Sequence, residues 1–446
     1  MAALGKGISR SAGVRWHRGG ALAAVLFAAA LLAGNAGPAR ASQDPLFSAQ
    51  WALQEIGAPT AWQRSTGAGV RIGIVDSGVF AAQEDLVGKV VAATDCINTE
   101  GDPRACHGSG VDDTGHGTHM AGIAAATKDN GRGIAGVAPD ARLVVARVLT
   151  DNGGSITDVE AGIRWVVQHG AQVVNLSLGD NPIAQRPIDL SFEAAVEEAW
   201  AAGVVPVVTS GNTTAVGPAR ESFANLDALV VGATDYRGVV MPYSNPLSTA
   251  KWGLVAPGGS GTRDGRDVLS TWRDPSAPSA TNRYSYGAGT SVAAAHTSGV
   301  VALLLAEGLS PMEAVQRIID TARPVQCGTS CHGLLDAAAA VAPAPGRVVV
   351  NSIGRPTPAT RAQLPVHPSS TQGSAVPTTM SASTDLPPPP EIALGVPDAP
   401  IGGRVIPNSA GSTVDRASKV GWTLVAIAPG AAIFLLVARR YPDGAS

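Results

Sequence analysis

The segment VRIGIVDSG, residues 70–78, is a largely apolar run that ends in the carboxylate of Asp76. Runs of this kind are typical of parallel strands that are buried on both faces. Similar runs follow at residues 143–148, 172–178, 204–209 and 228–233, and helical patterns lie between them at residues 119–126, 156–169 and 192–202. This alternation predicts an α/β fold with a mostly parallel sheet and helices on both faces.

Asp76 ends the first predicted strand, at the sheet edge where such folds bind their ligands. A carboxylate that a strand shields on one side can hold an imidazole in one tautomer. Aspartates after strands also cap helices and bind metals. The residue alone therefore leaves several roles open.

A histidine motif, GHGTHMAG, occupies residues 115–122. The small residues on both sides of His116 allow its ring to lie against other backbone, and a base at a helix start can face a cleft. We therefore predict a functional role for His116. His119, three residues further on, is predicted to be a core residue.

A serine motif, GTSVAAAH, occupies residues 289–296. Ser291 before a run of alanines is either a plain helix N-cap or a nucleophile at a helix N-terminus. In the second case, backbone N–H groups and the helix dipole stabilise an oxyanion.

The three motifs together resemble those of the subtilisin-like serine peptidases, the subtilases. Their chain order, Asp then His then Ser, is that of subtilisin. Residues 44–69 look most like the thermitase-like branch, and the resemblance covers about residues 44–340. It implies a subtilisin-like three-layer fold in which Asp76, His116 and Ser291 form a catalytic triad.

The resemblance also implies roles for residues around the triad. Asn212 matches the side-chain amide of the oxyanion hole. Substrate backbone would pair with the chain as an added strand, which explains broad tolerance of peptide sequence. The residues implied in substrate binding are Gly153, Gly154, Ser177, Leu178, Gly179, Thr209, Ser210 and Gly211.

A structural calcium site is a further implication, whereas no cofactor is expected for catalysis. Asp85 lies where the family has a calcium aspartate, and Asn130 lies in a loop of alternating carbonyl ligands. Hard oxygen ligands suit calcium. The alternative is a solvated loop. The remaining implied ligands are the carbonyls of Lys128, Arg132 and Ile134 and the carboxylate of Asp44.

The four cysteines form two local pairs, Cys96 with Cys106 and Cys327 with Cys331. In an oxidising compartment these pairs predict two short-loop disulfides, although the sequence alone allows three pairings. Free buried thiols are the alternative. A zinc site is not favoured, because no second ligand pair stands at finger spacing.

Both ends of the chain carry membrane signals. Residues 1–41 read as a signal peptide with a basic start, an apolar core and a small-x-small cleavage site, or alternatively as an uncleaved anchor. Residues 42–342 are the predicted peptidase domain, and the proline-rich residues 343–418 are a predicted disordered tether. Residues 419–440 are a predicted transmembrane helix, or alternatively a buried core helix, and residues 441–446 are a predicted cytoplasmic tail.

The sequence departs from the family pattern at two places. Ala295 replaces the usual proline before His296, and only residues 42–75 separate the predicted cleavage site from Asp76, which is short for a folding propeptide.

The sequence therefore predicts a serine endopeptidase that is tethered to the cell membrane by a single span, acts outside the cytoplasm and takes a peptide or protein substrate. A mycosin-like maturation protease with a type VII secretion system as its partner is the alternative. An inactive tethered binding module is a minor alternative, against which the complete triad counts. Nucleic acid is excluded as a partner, because the net charge is −3 and there is no basic stripe.

Overall fold

A computed structural model describes residues 42–178, 190–212, 223, 226–247, 249–262, 265–274, 276, 282–343 and 406–407. Within these residues, one sheet of eight strands forms the centre of the fold. All of its pairings are parallel, and its strand order is β10-β7-β6-β5-β4-β1-β3-β2. These strands are β1 (Arg71–Asp76), β2 (Val90–Asp95), β3 (Arg142–Arg147), β4 (Val173–Leu176), β5 (Val205–Thr209), β6 (Leu229–Thr234), β7 (Trp252–Pro257) and β10 (Cys331–Leu334).

The apolar strands bury side chains on both faces of this sheet. In β3, Leu143 and Val145 join one hydrophobic cluster, whereas Val144 and Ala146 join another. This alternation follows from the two-residue repeat of a strand. The three-layer α/β prediction is thereby confirmed.

Helices cover the two faces of the sheet. The helices of the described residues are α1 (Trp51–Glu55), α2 (Ala58–Ala61), α3 (His116–Ala125), α4 (Ile156–Gln168), α5 (Leu190–Ala201), α6 (Thr290–Ala306), α7 (Pro311–Thr321) and α8 (Ala337–Val341). Core residues of α7 and α8, and most of those of α3 and α6, belong to the first cluster, and those of α4 and α5 belong to the second. Side-chain caps begin three of them: Ser155 caps α4, Ser310 forms a capping box with Glu313 at α7, and Asp336 caps α8.

A second, antiparallel sheet lies beside the main one. It contains β8 (Val268–Trp272), β9 (Arg283–Gly287) and β11 (Ile406–Pro407), in the order β11-β9-β8. It packs on α3, because the hydroxyls of Ser270 and Thr271 donate to the carbonyls of His119 and Thr118 at 2.7 Å each.

The predicted helix at residues 119–126 was placed too late in the chain, since α3 begins at His116. The predicted strand at residues 172–178 was too long, since β4 covers only Val173–Leu176. Both errors arise from polar or small residues at the ends of the elements, where apolar periodicity gives no signal.

Both local disulfides are present, Cys96–Cys106 and Cys327–Cys331. The first follows the edge strand β2, and the second closes a short loop that leads into β10. Among the described residues there is no free cysteine.

The membrane signals of the sequence fall outside the described residues. These are the predicted signal peptide at 1–41, nearly all of the predicted tether at 343–418, the predicted span at 419–440 and the predicted tail at 441–446. No helix within the described part of the chain has the length and apolarity that a bilayer span requires.

Candidate active site

Asp76 is the last residue of β1 and is fully buried. Its Oδ1 accepts hydrogen bonds from His116 Nδ1 and from the backbone N–H of Ser77, each at 2.7 Å. The hydrogen bond from the Ser77 N–H holds the Asp76 carboxylate in place, and this carboxylate in turn orients the His116 imidazole. Such a contact selects the tautomer in which Nε2 is free to accept a proton.

His116 begins α3 between two glycines that allow very close packing. A Cβ on Gly117 would lie 2.0 Å from the carbonyl oxygen of Gly78, and one on Gly115 would lie 2.4 Å from the carbonyl oxygen of Arg273. Gly115 also has a φ of 95°, which side chains disfavour. The glycines of the histidine motif are therefore needed for the approach of His116 to Asp76.

The pKa of His116 is raised above its ordinary value. Burial by itself disfavours the imidazolium, but the charge of Asp76 and its hydrogen bond outweigh this effect, and the charge of Asp112 adds to them. The site thus stabilises the protonated ring that forms when a base accepts a proton.

Ser291 is the second residue of α6 and is almost fully buried. Its Oγ donates to the carbonyl of Ser177 at 3.3 Å. Among the described residues, His116 Nε2 has no hydrogen-bond partner. The serine and the imidazole are therefore not hydrogen-bonded in this conformation, which is common in enzymes without substrate.

The Asn212 side chain is oriented by the residue before Ser291. Its Oδ1 accepts from the backbone N–H of Thr290 at 2.7 Å and from the Thr290 hydroxyl at 2.9 Å. Because Thr290 holds the amide oxygen of Asn212, the amide nitrogen Nδ2 is directed away from Thr290. Gly289 lies beside this nitrogen, since a Cβ there would be in van der Waals contact with Asn212 Nδ2 at 3.5 Å.

The predicted substrate-binding residues that are described lie at strand ends. The Ser177 hydroxyl donates to the carbonyl of Ser291 at 3.0 Å, and the Thr209 hydroxyl donates to the carbonyl of Leu178 at 3.3 Å. The structure thus joins the ends of β4 and β5 to the serine. Ser210 and Gly211 continue from β5 to Asn212, whereas Gly179 lies outside the described residues.

Gly153 and Gly154, which are also predicted to bind substrate, lie before α4. Gly153 pairs with Thr150 in an isolated antiparallel bridge, and a Cβ on Gly154 would lie 2.2 Å from the carbonyl oxygen of Val148. The segment is therefore a tight turn that leaves its backbone close to the end of β3.

Asp112 is a buried residue of the site that the sequence analysis missed. Its Oδ1 accepts from the Ser77 hydroxyl at 2.9 Å and from the backbone N–H groups of Thr114 and Gly115. Its Oδ2 accepts from the backbone and hydroxyl of Thr118. Asp112 thus joins the residue after Asp76 to the first turn of α3. An aspartate shortly before a helix start was the available signal.

His119 is a core residue, as predicted. It is fully buried, its Nε2 lies 3.1 Å from the carbonyl oxygen of Ser285, and its ring meets Trp272 edge-on. Burial lowers its pKa to about 3, so the ring is neutral at physiological pH.

Residues of the predicted calcium site surround the loop at 128–134. Asp44 accepts from the backbone N–H groups of Asp129 and Gly131, at 2.8 and 3.1 Å. Asp85 accepts from Asn130 Nδ2 at 2.8 Å and from the Ile134 N–H at 3.0 Å. The described residues contain no group of three or more His, Cys, Asp or Glu side chains that could hold a metal. The carboxylates of Asp44 and Asp85 and the side-chain amide of Asn130 nevertheless contact the same loop, and oxygen ligands of these kinds suit calcium.

Comparison with known proteins agrees with this geometry. Residues 67–374 match the model of the subtilase family. Thermitase from Thermoactinomyces vulgaris is 35% identical over 291 residues, which cover 65% of this chain and 94% of thermitase. A thermophilic serine proteinase from Bacillus sp. (strain AK1) is 36% identical over 289 residues, which cover 64% of each protein.

Solved structures give the same result. A protease from Pseudoalteromonas arctica PAMC 21717 is similar with a TM-score of 0.57 and 29% identity, covering 68% of this chain and 99% of that one. Fervidolysin from Fervidobacterium pennivorans, a keratinolytic enzyme related to subtilisin, has a TM-score of 0.56 and 28% identity over 70% of this chain and 48% of its own. The family match extends over more than half of the chain, and the chain therefore belongs to the subtilase family of serine endopeptidases.

Proposed function

We propose that Ser291, His116 and Asp76 are the catalytic residues of this endopeptidase. The observation that carries the proposal is the 2.7 Å hydrogen bond between His116 Nδ1 and Asp76 Oδ1. Two features support it. Ser291 lies at the N-terminus of α6, and Asn212 is held beside that N-terminus by Thr290.

In the proposed acylation step, Ser291 Oγ attacks the carbonyl carbon of the scissile peptide bond, and His116 Nε2 accepts the hydroxyl proton. Asp76 stabilises the imidazolium that results. The oxyanion accepts hydrogen bonds from the Asn212 side chain and from the Ser291 backbone N–H. The imidazolium then donates its proton to the leaving nitrogen, and the C–N bond breaks.

In the proposed deacylation step, a water molecule attacks the ester carbonyl of the acyl-enzyme. His116 Nε2 accepts a proton from this water and returns it to Ser291 Oγ as the ester bond breaks. The products are the regenerated enzyme and a free carboxylic acid, which releases its proton to water.

A fluorophosphonate probe and casein hydrolysis test this assignment on the purified full chain. We expect covalent labelling at Ser291 and cleavage of casein, and we expect Ser291→Ala to lose both. Ser109→Ala, at an exposed serine, is the matched control and should retain both. Labelling of the well-folded Ser291→Ala protein at another serine, with casein still cleaved, would contradict the assignment.

We also propose that the peptidase is tethered to the cell membrane with its catalytic residues outside the cytoplasm. The support comes from the sequence, in which an apolar run at residues 420–438 precedes Arg439 and Arg440. Deletion of residues 419–446 should release the protein from the membrane fraction. Retention of the shortened protein in membranes would contradict the tether.

A maturation protease of a secretion machine is the second candidate role, and the predicted combination of signal peptide and C-terminal anchor favours it. In this role the substrate is an exported protein at the same membrane. Comparison of the exported proteins of cells with the wild type and cells with Ser291→Ala should show an uncleaved precursor in the latter. Identical patterns of exported fragments would contradict the role.

Calcium at the loop of residues 128–134 is a further part of the proposal. Asp44, Asp85 and Asn130 would hold the ion together with the carbonyls of Lys128, Arg132 and Ile134, and the ion would stabilise the fold. The unfolding temperature of the Ser291→Ala protein should rise when millimolar calcium is added after chelation. An Asp85→Asn change should abolish this rise, and a rise that survives the change would contradict the site.

A further inference from the structure

Arg273 lies beside the start of α3, the helix that begins with His116. It follows β8 directly, and its carbonyl oxygen would lie 2.4 Å from a Cβ on Gly115, the residue before His116. The indole ring of Trp272 touches the same point, at 2.7 Å. The backbone of Arg273 is therefore held against the start of α3.

The guanidinium group of Arg273 stacks on an aromatic ring. Its central carbon lies 4.7 Å from the ring centroid of Phe80. The backbone N–H of Phe80 donates to the Thr118 hydroxyl at 2.9 Å, in the first turn of α3. Both stacked side chains are half-buried. Stacking of this kind fixes the direction of a guanidinium without neutralising its charge.

Within the described part of the chain, Arg273 makes no ion pair, and its Nε is buried without a hydrogen-bond partner. The next residue, Asp274, forms an ion pair with Arg283 at 3.4 Å. The sequence between them at residues 275–282 carries no charged side chain. Buried donors normally have partners, so an unsatisfied guanidinium donor requires an explanation.

The position of Arg273 places it on the side of the site where the leaving-group half of a bound peptide would lie. In the proposed function, Ser177 and Asn212, which follow β4 and β5, bind the backbone and the oxyanion of the acyl half of the substrate. Arg273 comes from the separate small sheet, which packs on α3 next to His116. His116 is the group that protonates the leaving nitrogen, so the leaving half of the peptide passes along this side.

We propose that Arg273, stacked on Phe80, binds an acidic side chain of the substrate within the first three residues on the leaving-group side. The proposal rests on the proposed function of the triad and adds a substrate class to it. A carboxylate would receive hydrogen bonds from the guanidinium, and such charge-assisted bonds are stronger than neutral ones. The preferred substrates are thus peptides with Asp or Glu shortly after the cleaved bond.

Internally quenched peptides with one fixed acyl half test the proposal on the full chain. Glu, Gln or Lys is placed in turn at each of the three positions after the cleaved bond, and kcat/KM is measured for every peptide. At one position the wild type should prefer Glu over Gln by about tenfold, the size of a single charge-assisted hydrogen bond. The preference should decrease at high salt, since the site is only half-buried.

Arg273→Gln should reduce the Glu-to-Gln ratio to about one, and Arg273→Glu should favour the Lys peptide instead. Arg64→Gln is the matched control, because Arg64 is an exposed arginine three residues after α2 that forms an ion pair with Glu307. It should keep the wild-type ratio.

An anilide substrate with the same acyl half has no residues on the leaving-group side, and its hydrolysis reports whether each protein is folded and active. If the wild type hydrolyses the anilide and the peptides but shows no preference for Glu at any position, the Arg273 proposal is wrong and the triad stands. An unchanged Glu-to-Gln ratio in Arg273→Gln leads to the same conclusion. If the well-folded wild type hydrolyses none of these substrates, the proposed function itself fails.

Discussion

Asp112 and Ser77 form a buried hydrogen bond of 2.9 Å that links the segment after β1 to the start of α3. The Ser77 hydroxyl also accepts from the backbone N–H of Gly117 at 2.9 Å. Because Asp76 precedes Ser77 and His116 precedes Gly117, this small network holds the two partners of the Asp76–His116 contact in register. The geometry of the site thus depends on residues that do not touch a substrate.

Asp112→Asn should lower the apparent pKa of His116 in the pH profile of kcat/KM, because one of the charges that raise this pKa is lost. It should also destabilise the fold by about 2 kcal/mol, since the new amide places an N–H group opposite the Thr118 N–H donor. Ser77→Ala is the matched control: it removes the hydroxyl and keeps the charge. It should lower kcat without moving the acid limb of the profile. An acid limb that stays in place in Asp112→Asn would show that Asp112 has only a structural role.

The acid limb of the wild-type profile should lie above the ordinary pKa of histidine, about 6.5. The pKa of His116 is raised, and only the neutral ring can act as a base, so activity should increase as pH rises through this higher value. Asp76→Asn should remove the main cause of the shift and reduce kcat about 10,000-fold at neutral pH. Steady-state kinetics between pH 5 and 10, on a substrate without ionisable groups, provide the measurement. A limb below the ordinary value would contradict the assignment of His116 as the base.

The same pKa shift has a consequence for stability. Because the pKa of His116 is raised in the folded state, the His116–Asp76 pair stabilises the fold fully at pH values below the ordinary histidine pKa. This contribution to the free energy of unfolding is lost as pH rises through the raised value. In a Ser291→Ala background, which prevents self-digestion, the stability gap between Asp76 and Asp76→Asn proteins should therefore narrow from pH 6 to pH 9. Urea unfolding at several pH values measures the gap. A gap that widens over this range would contradict the shift.

Asn212→Ala should reduce kcat by about 100- to 1,000-fold with little change in KM, the magnitude known for the oxyanion amide of subtilisin. The hydrogen bond is made only to the charged oxygen of the transition state, so the loss appears in kcat. Asn152→Ala, at an exposed asparagine in the turn before Gly153, is the control and should leave kcat within a factor of a few. An equal loss in both variants would contradict the oxyanion role.

Loss of the Cys96–Cys106 disulfide through a double change to serine should destabilise the fold by about 3 kcal/mol, because its loop of 10 residues becomes free in the unfolded chain. The Cys327–Cys331 pair closes only four residues and should contribute less. Urea unfolding of both double variants in the Ser291→Ala background compares the two. A larger loss for Cys327–Cys331 would contradict this order.

Five strands of the main sheet, β1, β3, β4, β5 and β6, were predictable because they are buried on both faces and read as continuous apolar runs. Strand β7 was missed, since its run contains glycine and proline, and β10 was missed, since its first two residues are not buried. The edge strand β2 was missed, since Val91 is half exposed and its neighbours are small. The small sheet was missed for a related reason: β8 and β9 carry Ser270, Thr271 and Ser285 at buried positions, where hydroxyls bond to α3 or are turned inward. Tertiary contacts determine whether such polar residues are buried in a strand, and these contacts cannot be read from a single sequence.

The positions of Asp76 and His116 were predictable because their motifs have few other physical explanations once they occur in one order. Asp112 and Arg273 were not predictable in the same way. Asp112 precedes a helix whose start was misplaced, and Arg273 follows a strand that was missed. Their roles depend on which elements meet in space, so they became visible only when α3 and β8 were seen to pack together.

The serine helix α6 is buried almost along its whole length, from Thr290 to Leu304. A peptidase is exposed to cleavage by other copies of itself. A backbone segment can be cut only when it unfolds locally and extends into the active-site cleft of another copy. Self-digestion should therefore start in exposed segments, such as residues 107–109, and the helix that carries Ser291 should be among the last parts to be cut. The resistance of the peptidase to self-digestion therefore depends on its surface loops. Cross-linking those loops should prolong its activity without any change to the catalytic residues.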